Sequence, residues 1–282
     1  MRYLLSVVAI VLLVGCSGGS DSEAPAVSQP PPAPPAPPPP PPPPPPVAPL
    51  PALLQNNFVN CGQWNQQLTG FTPPYSVSKH QRWVVMGSSS AFGAGASSYA
   101  NSWAGRLTEY AKGQGIEVIN IARGGYMTYQ GLASRCEVNT ARPQPDVNHN
   151  IDKALSFAPD LVIVSFPSND AALGYSAEES AYNLLLMREL LAQEEVVTVV
   201  MGAQPRNIAP ARQQQLLQLD TLLDERIKAC LVKVYEPLVD NAGNLSSQFN
   251  AGDGVHVNDA GHTILYERLL TVLTDPAKGC LN

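Results

Sequence analysis

The chain has 282 residues and a formal net charge of −6. Arg2, Asp21 and Glu23 fall in the first 55 residues, which leaves 16 basic and 21 acidic side chains over residues 56–282. A mildly acidic body without a basic run argues against a nucleic-acid partner, because phosphate binding rests on clustered Lys and Arg, and about 230 residues suffice for one domain with a sizeable core.

Arg2 precedes an apolar run from Leu4 to Val14. That run is shorter than the ~20 residues needed to span a bilayer and has the length of a signal-peptide apolar core. It ends in Leu13-Val14-Gly15-Cys16, which resembles the lipobox of bacterial lipoproteins. The resemblance implies removal of residues 1–15 and acylation of Cys16. Several acyl chains anchor stably, since each buried methylene contributes ~0.8 kcal/mol. Ser17, rather than Asp, follows Cys16, and in the lipoprotein pattern this points to the outer membrane. Residues 16–55 read as a linker, small and polar to residue 29 and nearly all proline from 30 to 51. Proline lacks the N–H and has a fixed φ, so this run is expected to form a polyproline II stalk of roughly 60–70 Å at ~3.1 Å per residue. A ligand for proline-recognition domains or a segment threading the cell wall are the other readings.

Residues 56–282 read as alternating strands and helices. Strands are expected at 82–87, 116–121, 161–166, 196–201 and 232–235. Helices are expected at 102–113, 150–157, 177–193 (long and amphipathic), 212–230 and 259–273. Such alternation implies a parallel sheet covered on both faces, and the unbroken apolar stretches 161–165 and 196–201 suit strands buried on both sides. In these folds reactive groups sit at the carboxyl ends of the strands.

The loops there carry the chemistry. After the first strand comes Gly87-Ser88-Ser89-Ser90, after the second Arg123-Gly124-Gly125, and after the third Pro167-Ser168-Asn169-Asp170. Asp253-Gly254-Val255-His256 precedes the last helix. In this order the four fragments resemble the SGNH (GDSL-like) hydrolase superfamily over most of residues 82–270. The resemblance implies a flavodoxin-like three-layer α/β/α fold with five parallel strands. It implies Ser89 as nucleophile, His256 as its base and Asp253 as the group orienting the base. It also implies an oxyanion hole from the N–H groups of Ser89 and Gly125 and the amide of Asn169. A serine hydroxyl becomes a nucleophile when a neighbouring base takes its proton, and neutral imidazole can do so near pH 7.

Two positions depart from the family pattern. Ser88 stands where the family has Asp, and Pro167 where it has Gly, which predicts a differently shaped loop before Asn169. Arg123 reads as a solvated side chain or a contact for an acidic substrate group. His80, His149 and His262 read as surface or capping residues. Besides Cys16, the even set Cys61, Cys136, Cys230 and Cys280 suggests two disulfides in an exported domain; three pairings exist, and Cys61–Cys136 with Cys230–Cys280 is favoured. No Cys/His spacing resembles a zinc site, so neither metal nor cofactor is expected. The expected substrate is a small-molecule or polysaccharide ester, cleaved through an acyl-enzyme by a monomer held at a membrane through Cys16. A lipid esterase of the lysophospholipase or thioesterase type, an acyltransferase and a non-catalytic surface binding module are the alternatives.

Overall fold

The computed structural model describes residues 52–66, 82–227, 229–275 and 280. The expectations for the signal peptide, Cys16, most of the linker and His80 lie outside the described residues. The strands are β1 (Val59–Asn60), β2 (Arg82–Gly87), β3 (Glu117–Asn120), β4 (Glu137–Val138), β5 (Leu161–Ser165), β6 (Val197–Met201) and β7 (Leu231–Val232). The helices are α1 (Ser89–Phe92), α2 (Trp103–Gly113), α3 (Thr128–Gly131), α4 (Ile151–Leu155), α5 (Asn169–Leu173), α6 (Ala177–Gln193), α7 (Pro210–Arg226), α8 (Tyr235–Leu238) and α9 (Asp259–Thr274).

Five strands form one parallel sheet in the order β3-β2-β5-β6-β7, the three-layer α/β/α arrangement expected. From β2 the chain winds first to β3 on one side, then across to β5, β6 and β7 on the other. The strand order therefore reverses at β2, and in such sheets ligands bind outside the carboxyl ends of the strands at the point of reversal.

Alternation along each strand builds two cores. Trp83, Val85, Leu161, Ile163, Val197 and Val199 face one side, with Trp103 and Leu107 of α2 and Leu265 and Leu269 of α9. Val84, Met86, Val162, Val164 and Val200 face the other, with Leu184, Leu186 and Met187 of α6 and Leu216 and Leu223 of α7. Successive side chains of a strand point to opposite faces, so a strand covered on both sides must be apolar throughout.

Several details differ from the sequence reading. α6 is not amphipathic: every residue from Ser180 to Leu191 is buried, Arg188 and Glu189 included, because the helix lies between the sheet and its neighbours. α7 starts earlier, at Pro210, whose fixed φ suits the first helical position, and ends at Arg226. Cys230 cannot extend it, having a φ of 66°. The last sheet strand stops at Val232, and residues 235–238 form α8 instead.

Among the described residues the disulfides are Cys61–Cys136 and Cys230–Cys280. The first lies beside the antiparallel pair β1–β4, in which Val59 opposes Val138. The packed body reaches into the segment read as linker: Leu54 is buried in the core, and Gln66 holds its N–H and carbonyl at 2.7 and 2.8 Å. No helix among the described residues is long and apolar enough to cross a membrane.

Candidate active site

Ser89 opens α1 directly after β2. The strand-to-helix turn is fastened by the Ser88 N–H, which donates to the Ser165 carbonyl at the end of β5 at 2.9 Å. This backbone bond braces the loop although Ser88 stands in place of an aspartate.

The structure brings Ser89, His256 and Asp253 together. His256 Nε2 lies 2.9 Å from Ser89 Oγ, and His256 Nδ1 lies 2.6 Å from Asp253 Oδ2. The other carboxylate oxygen, Oδ1, accepts the backbone N–H groups of Val255 and His256, each at 2.8 Å. Partial burial by itself would raise the Asp253 carboxyl. The His256 N–H, the His256 ring and the Val255 N–H outweigh it and hold the carboxyl at about 2. Asp253 is therefore a carboxylate throughout the range near ~6.5 where an imidazole ordinarily exchanges its proton. An ionised Asp253 accepts the Nδ1 hydrogen, which turns the Nε2 lone pair toward the Ser89 hydroxyl.

His256 is held from below. A Cβ on Gly95 would lie 2.7 Å from His256 Cβ and would collide with the Val257 carbonyl, so only glycine permits this approach. The same loop is tied down by His262, whose Nε2 donates to the Ala94 carbonyl at 3.1 Å while Nδ1 accepts the Trp103 N–H at 3.2 Å. Of the surface and capping roles expected for it, His262 takes the capping one, since Trp103 opens α2. It is fully buried, and burial pushes its pKa down, which suits the neutral ring these two bonds require.

Gly124 flanks the serine: a Cβ added there would lie 3.9 Å from Ser89 Cβ. Gly125 has a φ of +82°, and a Cβ there would meet no protein atom within 4 Å. Glycine at this position thus answers to backbone conformation, not to crowding by the protein. Asn169 begins α5 after β5, and its Nδ2 donates to the carbonyl of Tyr126, beside Gly125, at 2.9 Å. Pro167 does not displace this loop from the site; its carbonyl accepts the Gln204 N–H at 3.2 Å. Arg123 is exposed, with its guanidinium 5.8 Å from the Tyr126 ring centroid.

Beneath Asn169 lies Asp170, which accepts the Thr128 N–H at 2.9 Å and the hydroxyls of Thr128 and Ser180. Burial pushes this carboxyl up to about 6, against those hydrogen bonds. The bond to Thr128 couples the segment after Gly125 to the segment carrying Asn169.

Sequence reasoning passed over the loop after β6. Gln204 Nε2 donates to the Val255 carbonyl at 3.0 Å, the Asn207 N–H donates to the Gly254 carbonyl at 2.8 Å, and Arg206 Nη1 donates to Asn169 Oδ1 at 2.8 Å. The signal was available, since these residues also follow a strand's carboxyl end.

The site is open. Ser89 is partly exposed, Gly124 and Gly125 are exposed, and the His256 and Asp253 side chains are 26% and 49% exposed. A separate cleft of about 440 Å³, edged by Phe92, Tyr99, Asn120 and Ala122, lies on the flank of α1. Ser89, Asp253 and His256 do not line it. Among the described residues no group of three or more His, Cys, Asp or Glu is placed to hold a metal ion.

A serine, a histidine and a carboxylate in hydrogen-bonded series at the carboxyl edge of a parallel sheet are the parts of a serine hydrolase. Residues 85–264 match the GDSL-like Lipase/Acylhydrolase family, and the chain belongs to that family. No curated protein matches it. Among solved structures it is similar to a Bacteroides fragilis protein assigned as an acylhydrolase, with 18% identity, a TM-score of 0.52, and 72% of this chain and 91% of that one covered. It is also similar to a G-D-S-L-family protein assigned as lipolytic from Desulfitobacterium hafniense, with 18% identity, a TM-score of 0.53 and coverage of 68% and 99%. A third is the psychrotrophic esterase EstA from a Pseudoalteromonas species, with 18% identity, a TM-score of 0.50 and coverage of 70% and 98%. At these identities the likeness is one of fold.

Proposed function

We propose that the protein is a carboxylic ester hydrolase working through an acyl-enzyme on Ser89. The observation that carries this is the unbroken series Ser89 Oγ–His256 Nε2 and His256 Nδ1–Asp253, at 2.9 and 2.6 Å. As Ser89 Oγ bonds to the ester carbonyl carbon, its proton passes to His256 Nε2. The carbonyl oxygen takes the electron pair and meets the N–H groups of Ser89 and Gly125 and the Asn169 amide. Collapse of this intermediate breaks the ester C–O bond, and His256 returns the proton to the leaving alcohol. Water then attacks the acyl group, giving its proton to His256, and Ser89 departs with that proton as the acid is released. Asp253 stabilises the imidazolium in both halves.

The substrate class proposed is an acetyl or other short acyl ester, presented on carbohydrate. The openness of the site supports this, because a polymer-borne ester needs access without a deep tunnel. We also propose an exported protein anchored through Cys16 at the outer membrane, a reading that rests on the amino-terminal sequence; the mass of the mature amino terminus checks it.

The test is hydrolysis of a short-chain chromogenic acetyl ester by the full chain, beside Ser89→Ala and His256→Ala. Both variants should fall to near background. A folded parent that is inactive on acetyl, longer-chain and thioester probes would refute the hydrolase reading. Persistent activity in Ser89→Ala would move the nucleophile to Ser88 or Ser90.

A further inference from the structure

We infer that Arg206 is a positioning residue, which fixes the Asn169 side chain in the one orientation that offers an N–H to the developing oxyanion and polarises that N–H. The inference rests on the ester-hydrolase reading above.

Asn169 has two partners of opposite character. Arg206 Nη1 donates to its Oδ1 at 2.8 Å, and its Nδ2 donates to the Tyr126 carbonyl at 2.9 Å. A guanidinium has only donors and a carbonyl only accepts. Turning the amide over would press an NH2 group against a cation and an oxygen against a carbonyl, so both partners exclude the flipped form. One Nδ2 hydrogen is taken by Tyr126, and the second is left for an oxygen bound beside Ser89. Without Arg206 only the Tyr126 carbonyl would hold the amide, and rotation would point the second hydrogen elsewhere. A charged donor on Oδ1 also draws electron density from the amide nitrogen, which makes its remaining N–H a stronger donor. Hydrogen bonds with an ionised partner are roughly twice as strong as neutral ones.

The backbone on either side of Arg206 is held. On one side of it, Gln204 donates through its backbone to the Pro167 carbonyl and through its side chain to the Val255 carbonyl, and accepts the Ser90 hydroxyl at 3.3 Å. On the other, Asn207 donates to the Gly254 carbonyl and accepts the Leu245 N–H at 3.0 Å. These bonds clamp the loop to the segments carrying Ser89, Asn169 and His256. Arg206 is partly buried; burial pushes the guanidinium pKa down, and the nearby charge of Asp253 offsets part of that.

The experiment compares Arg206→Met, Arg206→Lys, Asn169→Ala and the double variant Asn169→Ala/Arg206→Met in the full chain. The readouts are kcat and KM for a chromogenic acetyl ester, together with thermal unfolding. Loss of an oxyanion donor lowers kcat by ~10²–10³, so its misorientation in Arg206→Met should lower kcat by about 10–100-fold with KM within about threefold. Arg206→Lys, which keeps a cationic donor, should recover part of the loss. In the Asn169→Ala background, Arg206→Met should change kcat by less than about threefold, because the group through which it acts is gone. The inference is overturned by an unchanged kcat in Arg206→Met, by a loss that persists in full without Asn169, or by a raised KM at unchanged kcat, which would make Arg206 a substrate contact. A loss of activity explained by unfolding in the thermal measurement, without recovery in Arg206→Lys, also overturns it. An active parent with unaffected Arg206 variants defeats this inference alone, whereas a folded but inactive parent defeats the hydrolase reading and this inference with it.

Discussion

Replacing Asp253 with asparagine keeps size and shape but sets the histidine proton wrong. In the structure, Oδ1 of Asp253 receives the N–H groups of Val255 and His256 at 2.8 Å each, while Oδ2 faces His256 Nδ1 at 2.6 Å. In Asp253→Asn the new amide oxygen must stay with the two N–H donors, so the amide NH2 faces Nδ1. That NH2 donates to Nδ1 and drives the ring proton to Nε2, where it confronts the Ser89 hydroxyl and removes the base. Escape by flipping the amide strands two donors. At about 1 kcal/mol each for exposed loop groups this costs about 2 kcal/mol, a factor of about 30. Loss of the carboxylate behind the imidazolium multiplies the damage, and an equivalent change in a serine protease costs ~10⁴ in kcat. Asp253→Asn should therefore lower kcat by about 10³–10⁴ with little change in KM. Asp253→Ala imposes no tautomer and should retain more activity than Asp253→Asn. Steady-state hydrolysis of a chromogenic acetyl ester measures both. Activity of Asp253→Asn within about tenfold of the parent would refute the tautomer argument.

Gly95→Ala places a methyl group against the Val257 carbonyl and 2.7 Å from His256 Cβ, at a φ of +92°. It should destabilise the protein by about 2–4 kcal/mol and lower kcat, read by denaturant unfolding and ester hydrolysis; unchanged values in both would disprove the contact. Asp170→Asn tests the buried carboxyl. A carboxyl raised from 3.8 to about 6 adds stability below its ordinary pKa, and that stability is lost as pH rises through about 6. This amounts to about 3 kcal/mol. The variant lacks the ionisation, so its stability relative to the parent should improve by about that much between about pH 4 and pH 7. Parallel stability curves for the two proteins across this range would rule the account out.

Much of the layout was legible because it rests on short-range chemistry. The apolar runs at 161–165 and 196–201 declare strands covered on both faces. Asp253 and His256 sit three residues apart in one loop, so their pairing needs no long-range folding. Ser89, Gly125 and Asn169 each follow a strand, where the topology gathers them. Arg206 escaped notice because a lone Arg in a polar loop has no signature; its part depends on a partner 37 residues away. For His262 the sequence left surface and capping roles open, since nothing local marks its contacts with Trp103 and Ala94. α6 looked amphipathic because Arg188 and Glu189 interrupt its apolar run, and only the packing around it shows that both are buried.

The covalent bridge Cys61–Cys136 lies directly beyond the pairing of Val59 and Asn60 with Val138 and Glu137. Tension drawn on the chain from its amino-terminal side loads Leu54 to Asn60 first and can unzip that short pairing step by step. The peel then halts at the sulfur–sulfur bond, before it reaches β2 and Ser89. The load passes from Cys61 to Cys136 instead of running along the chain to the strand before Ser89, and reduction of this one bond would let the peel continue toward that strand.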